Sequence, residues 1–160
     1  MNQESNVPEG YAQEEWAEYQ ADPVSFCIKE LNNSDSSVRF NAADILRGLA
    51  TDAEPAIPAL TKGLNDSDFQ VRAQCLFALA EIGYALGELP EETISCLIKC
   101  LSDSNAEIRA LAAYALPAGK ILSSEVIAYL KEMACNDPDE EVRQYVTGTL
   151  KRVQPEYGET

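Results

Sequence analysis

Apolar residues recur at helical spacing in four similar segments of this chain. Each segment contains a Val–Arg or Ile–Arg pair, and further apolar residues follow four and eight positions later. Positions spaced by 0, 4, 8 and 11 residues lie on one side of an α-helix. Each segment is therefore predicted to form an amphipathic helix that packs its apolar side against a core. The pairs are Val38–Arg39, Val71–Arg72, Ile108–Arg109 and Val142–Arg143.

The four segments follow one another at a nearly constant period. Counted between the apolar members of the pairs, the spacings are 33, 37 and 34 residues. A period of this size is typical of solenoids built from helical pairs. A residue that favours helix N-caps stands three positions before each pair, and a leucine-containing helix is predicted before that turn. We therefore predict four helix–turn–helix units at 23–50, 55–83, 90–119 and 123–153.

The repeated motif is Asp-x-x-Val-Arg-x-x-Ala-x-x-x-Leu, after a leucine-rich helix and an Asn/Asp-Ser-Asp turn. It resembles HEAT repeats, and it is most similar to the short HEAT-like repeats of the phycobilin-lyase family and of many bacterial solenoid proteins. The resemblance covers residues 23–153. It implies an all-α fold, a right-handed α-solenoid whose second helices line the concave surface. The Trp, Gly and Tyr signature of tetratricopeptide repeats does not occur at the corresponding positions.

The resemblance also implies a role for the repeated arginines. In HEAT-like repeats such arginines pair with the turn acids of a neighbouring unit, and a planar guanidinium suits a bidentate carboxylate pair. Phosphate binding is the alternative, but the many surrounding acids, which also include Asp66 and Asp137, argue against it. The predicted Arg–Asp ladder consists of Arg39, Arg72, Arg109, Arg143, Asp35, Asp68, Asp103 and Asp139.

The net charge narrows the class of partner. The chain has 12 Lys and Arg against 27 Asp and Glu, for a formal charge of −15. Nucleic acids require a basic surface, so DNA, RNA and anionic membranes are poor partners. Opposite charge speeds encounter with a basic protein, which is the partner that we predict. The alternative is that the charge serves solubility alone.

Few residues in the chain could carry catalysis or bind a metal. Histidine is absent, and the five cysteines include no CxxC pair, so we predict reduced thiols, no metal site and no cofactor. The leading hypothesis is a non-catalytic interaction module, an adaptor, a scaffold or an immunity-type inhibitor, that presents an acidic concave face with an aromatic stripe to a protein partner. The alternative is an accessory subunit of a phycobilin lyase-like enzyme, for which Cys96 and Cys100 are the only candidate residues. DNA glycosylases with HEAT-like repeats need a cationic track, which the charge disfavours.

The side of the second helices that faces away from the core is the candidate contact surface. It carries several aromatic residues, and apolar patches with a polar rim are typical of protein interfaces. The alternative is that neighbouring second helices pack together and hide these residues. The predicted contact residues are Phe40, Phe77, Leu111, Tyr114 and Tyr145, with Asp44 and Glu81 beside them.

The two ends of the chain lie outside the predicted solenoid, which spans 23–154. Residues 1–22 form an acidic tail in which a helix either caps the first unit or acts as a recognition arm. Residues 155–160 form a C-terminal tail. The chain contains no run of 18 apolar residues and begins with a polar, acidic segment, so we predict a cytoplasmic protein. We also predict that the protein is a monomer by itself.

Overall fold

Helices make up almost all of the described part of the chain, residues 12–119 and 122–155 of a computed structural model. The all-α solenoid that the repeats predict is confirmed, and each unit consists of a first helix, a turn and a second helix. The first helices of the units are α2 (Pro23–Glu30), α4 (Ile57–Gly63), α6 (Glu91–Cys100) and α8 (Ser124–Asn136). The second helices are α3 (Ser36–Leu49), α5 (Phe69–Leu86), α7 (Ala106–Ala115) and α9 (Glu140–Val153), and α1 (Gln13–Ala21) precedes them all.

Every second helix begins at a side-chain cap. The capping oxygen accepts a hydrogen bond from the backbone N–H two residues further on, at 2.8 Å in each unit. This bond satisfies an amide of the first helical turn that would otherwise lack a partner. The capping residues are Asp35, Asp68, Asn105 and Asp139, as the spacing predicts.

The apolar stripe of the second helices forms the core. The residues eight positions after the apolar member of each pair are Leu46, Leu79, Leu116 and Leu150, and all four are fully buried. The second helices pack on one another in succession, and they do so more extensively than the first helices. This closer packing agrees with the expectation that the second helices line the concave side of the stack. We call the exposed side of α3, α5, α7 and α9 the concave face.

The connection between the second and third units is partly helical. The sequence predicts that the second unit ends at Gly83, but helix α5 continues to Leu86. The helix stops at Gly87, which has a φ of 82°. Glycine adopts this left-handed conformation without steric cost and is a common helix terminator. Part of the additional spacing between these units is therefore helix. Helix α7 ends before Pro117, whose ring cannot continue a helix, and a 3₁₀ segment, Leu116–Gly119, follows it.

Helix α1 lies against the first unit. The ring of Tyr19 stacks on Trp16 at 5.3 Å between centroids and meets Phe26 of α2 edge-on at 5.7 Å. Lys29 of α2 donates to Glu18 at 2.9 Å. These contacts favour the capping alternative for this segment. The remaining parts of both predicted tails, residues 1–11 and 156–160, lie outside the described residues.

No helix among the described residues is both long enough and apolar enough to cross a bilayer.

Candidate interaction surface

Arginine–aspartate pairs connect each unit to the next along the turn edge of the solenoid. Arg39 donates from Nε and Nη2 to the two carboxylate oxygens of Asp66, both at 2.7 Å. Arg109 makes the same bidentate pair with Asp137, at 2.9 and 2.8 Å. Planar, bidentate, charge-assisted pairs of this kind are strong and geometrically specific. The sequence-based expectation of a ladder between units therefore holds for these arginines.

Each arginine also bonds its own turn through the third guanidinium nitrogen. Nη1 donates to the backbone carbonyl six residues before the arginine, at distances of 2.7–3.0 Å. Because that carbonyl fixes the orientation of the guanidinium, Nε and Nη2 point toward the next unit. The accepting carbonyls belong to Asn33, Asp66, Asp103 and Asp137.

The predicted aspartates of the ladder were partly wrong. Asp35, Asp68 and Asp139 cap helices, and the structure pairs none of them with an arginine. The true acceptors stand two residues earlier in each turn, at Asp66, Asp103 and Asp137, of which only Asp103 was in the predicted ladder. Their carboxylates also accept the backbone N–H of the capping residue, at 2.8–3.0 Å. The first unit, which no arginine approaches from a preceding unit, has Asn33 at this position.

The sequence contains a signal for this distinction. The third unit has Asn105 at the capping position, where an amide oxygen caps as well as a carboxylate does. The acceptor position is an aspartate in all three units that follow an arginine. The alternation of Asn and Asp at the two positions therefore separates the capping role from the pairing role.

The pair between the second and third units is the weakest of the three. Arg72 approaches Asp103 at 3.3 Å from Nε and 3.4 Å from Nη2, and the buried Nε makes no acceptable hydrogen bond. This boundary also has the longest spacing in the sequence, 37 residues. We infer that the longer connection shifts the third unit away from the arginine of the second.

The two short pairs change the proton affinity of their carboxylates. Hydrogen bonds from Arg39 lower the pKa of Asp66, and those from Arg109 lower the pKa of Asp137. The same bonds raise the pKa of each arginine. Both pairs lie at half-buried sites where water screens them incompletely, so they stabilise the stack more than exposed pairs do.

The concave face holds most of the predicted contact residues. Phe77 is 36% exposed and Tyr145 is 53% exposed, and the carboxylates of Asp44 and Glu81 are exposed as well. Phe40 is half-buried and lines a small groove of about 180 Å³ with residues of the α3 and α5 N-termini.

Leu111 is not part of this surface. Its side chain is only 5% exposed, so the prediction that it contacts a partner was wrong. The equivalent residue of α5, Gln74, is buried too, whereas Asn41 of α3 and Tyr145 of α9 are exposed. The central helices α5 and α7 have second helices on both sides, and their neighbours cover this position. At this position of the two central units, the alternative therefore holds, and neighbouring second helices pack together and hide the residue.

Tyr114 belongs to a cluster that the sequence analysis missed. Its ring meets Tyr84 edge-on at 5.8 Å, and the Tyr84 hydroxyl donates to the Tyr114 carbonyl at 2.8 Å. The Arg152 guanidinium lies 5.0 Å from the centroid of the Tyr114 ring and donates to the Tyr84 hydroxyl at 3.3 Å. The cluster joins α5, α7 and α9, and burial raises the pKa of Tyr84. Tyr84 follows the motif at a helical position that becomes available only because α5 is long, which is why its role could not be read from the repeat.

Asp44 connects two units on the same face. Its Oδ1 accepts from Gln74 of α5 at 2.7 Å and from Arg47 at 2.7 Å. The concave face, which was predicted to be acidic, is therefore of mixed charge, since Asp44 and Glu81 share it with Arg47 and Arg152. Many of the remaining acids lie in the turns and connections at the edges of the stack.

Comparison with known proteins agrees with this architecture. A family model described as HEAT repeats matches residues 57–151. Crystal structures of two engineered proteins are similar to this chain, with TM-scores of 0.63 and 0.62 at 23% and 21% sequence identity. The matches cover 88% and 85% of this chain but 66% and 65% of the engineered proteins, so the chain spans about two thirds of their length. No curated protein matches the chain significantly.

Proposed function

Because the chain belongs to the HEAT-repeat family, we propose that it is a non-catalytic module that binds a protein partner through its concave face. HEAT repeats generally mediate protein–protein interaction. Their stacked helices present an extended, rigid surface, as solenoids of other repeat families do. An adaptor, a scaffold or an inhibitor of a basic protein would each use such a surface.

The observation that carries the proposal is an exposed aromatic ring with one carboxylate on its own helix and another on the neighbouring helix. Glu81 follows Phe77 by one helical turn on α5, so the two side chains are neighbours on the helix surface. Asp44 reaches the same helix from α3 through its bond to Gln74, three residues before Phe77. An aromatic face beside carboxylates suits a lysine or arginine side chain, which gains a cation–π contact and an ion pair together.

The partner that fits is a protein with a basic surface. The net charge of −15 attracts such a protein over distances of about 10 Å at moderate salt. Tyr145 extends the apolar area toward the last unit, and exposed tyrosine is enriched in protein interfaces. Tyr114 serves mainly to hold the concave face together, since its ring already contacts Tyr84 and Arg152.

The two cysteines that were candidates for an enzymatic role, Cys96 and Cys100, have no feature that supports it. Burial raises the pKa of Cys100 to about 11, so at neutral pH it is a thiol and a poor nucleophile. Cys96 is half-buried one helical turn away on α6. We therefore favour the binding role over a lyase-like accessory role.

A pair of matched phenylalanine variants tests the proposal. Phe77→Ser removes the ring on the concave face, and Phe69→Ser removes an equally exposed ring at the start of the same helix. Proteins from the native host are captured on the wild type and on each variant at two salt concentrations. We expect a basic protein that the wild type and Phe69→Ser retain, that Phe77→Ser loses, and that elutes as salt rises.

The folding of each variant is checked by its melting temperature. Equal retention by Phe77→Ser and the wild type, with equal melting temperatures, would contradict the proposed face. Retention that high salt leaves unchanged would contradict the basic partner while keeping the apolar contact.

A further inference from the structure

The outward side of α9, at the C-terminal end of the described stack, has the same construction as the three sides that bind the next unit. We call it the α9 end face, and define it by Arg143, Gln144, Thr147, Gly148 and Lys151. In the preceding units the residues equivalent to Thr147 pack against the next second helix. The equivalents of Thr147 are Ala43, Leu76 and Ala113, and each of them is at most 1% exposed.

The guanidinium of Arg143 has the same orientation-fixing hydrogen bonds as the arginines that bind a carboxylate. Its Nη1 donates to the carbonyls of Asp137 at 2.7 Å and Pro138 at 3.3 Å, as Arg109 does to Asp103 and Ser104. In Arg109 this leaves Nε and Nη2 for the aspartate of the next unit. Among the described residues, Arg143 has no ion pair with such an aspartate.

The α9 end face also has room for a helix. It borders a groove of about 430 Å³, and Glu140 lines the groove together with the five residues of the face. An added Cβ at Gly148 would meet no atom within 4 Å. Ala43 and Ala113, the equivalents of Thr147, are small residues buried where the next helix packs, whereas the equivalents of Gly148 are Asp44, Phe77 and Tyr114 of the concave face.

We propose that the α9 end face binds a helix–turn–helix unit of a partner protein, and that the turn of this unit presents an aspartate to Arg143. The chain itself supplies the precedent, since the same arrangement joins its four units at three boundaries. Arg143 and Lys151 give the face two cations against Glu140, so an acidic turn matches its charge. This site borders the concave face at Gly148, and it takes an acidic turn, whereas the partner proposed for the concave face is basic.

A second copy of this chain is a poor occupant. The position that would meet Arg143 in head-to-tail stacking is Asn33 of the first unit, which is neutral and bonds Glu30 and Asp35. Helix α1 also lies against that unit. A partner with an aspartate in its turn satisfies Arg143, and this chain's own first unit does not.

A fused fifth unit tests the recognition directly. Residues 1–153 are followed by a second copy of residues 120–153, which places the copied aspartate 28 residues after Arg143, as Asp137 follows Arg109. If the added unit docks, the urea dependence of unfolding becomes steeper by about a quarter, because the surface exposed on unfolding grows in proportion. Arg143→Gln then raises the unfolding equilibrium constant of the fusion about tenfold more than that of the unfused chain.

The control is Arg47→Gln, which also removes one positive charge, but from an exposed arginine of α3. It should change the unfolding equilibrium constants of the fusion and of the unfused chain by the same factor. Replacing the copied aspartate with Asn should destabilise the fusion as much as Arg143→Gln does. A fusion that carries both changes should be no less stable than a fusion with either change alone. A separate transition for the added unit, or an equal effect of Arg143→Gln in both chains, would overturn the proposal. Concentration-dependent association of the unfused chain that Arg143→Gln abolishes would overturn it in favour of a second copy.

Discussion

At the scale of single residues, the turn of each unit assigns two polar positions to two tasks. One side chain caps the second helix, and the side chain two residues earlier receives the arginine of the preceding unit. Asp137 shows the second task most clearly, because it is nearly buried and accepts from both Arg109 and the Asp139 amide. Replacing it leaves a half-buried guanidinium without its carboxylate.

Asp137→Asn should destabilise the protein by about 2 kcal/mol at pH 7, the size of a hydrogen-bonded contact to a charged group at a partly screened site. The pKa of Asp137 is lowered on folding, so the unfolded chain binds more protons at acidic pH. The stabilisation is complete above the ordinary aspartate pKa and is lost as pH falls through the lower pKa of the folded state. Urea unfolding at pH 7 and near pH 3 should therefore show the difference between variant and wild type shrinking in acid. A difference of constant size would contradict the pair, and Asp52→Asn, at an exposed site, is the control.

At the scale of helices, the repeat predicts positions well and orientations less well. The caps, the buried leucines and the end of α7 before Pro117 follow from the residues themselves. The burial of Leu111 and the contacts of Tyr84 depend on which helices lie on either side, and a single repeat contains no information about that. The length of α5 beyond Gly83 was missed for a related reason, since contacts with Leu89 and Ala118 support this turn.

Two glycines in helix interiors should respond in opposite directions to alanine. A Cβ at Gly83 would come within 2.7 Å of the Leu89 side chain and 2.8 Å of the Ala118 Cβ, so Gly83→Ala should destabilise by about 1–3 kcal/mol. Gly148 has open space, and Gly148→Ala should stabilise α9 by about 0.5–1 kcal/mol through helix propensity. Chemical denaturation of both variants measures this. Stabilisation by Gly83→Ala would show that α5 and the 3₁₀ segment lie further apart than described.

At the scale of the whole molecule, three arginine–aspartate pairs and one tyrosine cluster join the units into a stack. The boundary between the second and third units has the longest arginine–aspartate distance, so it contributes least to this coupling. Asp103→Asn should consequently cost less stability than Asp137→Asn in the same urea titration. An equal or larger loss for Asp103→Asn would contradict the ranking by distance.

The sequence predicts the architecture almost completely, because a repeated helical pair has few ways to bury its apolar stripe. It predicts the partner surface only in part. Phe77, Asp44 and Glu81 are exposed as expected, but Arg152 covers part of Tyr114 from a unit far away in sequence. The charge of the chain, which composition gives as a single number, is distributed toward the edges of the stack, and only the arrangement of the units reveals this.

The central claim is that the partner lies on the concave face beside Phe77. A photo-crosslinking phenylalanine derivative placed at position 77 tests this directly, with the same derivative at the exposed position 69 as the control. After irradiation in the presence of native-host proteins, we predict a covalent adduct with a basic protein at position 77 and none at position 69. An adduct with the same protein at position 69 and none at position 77 would show that the partner binds the turn edge, and would contradict the account.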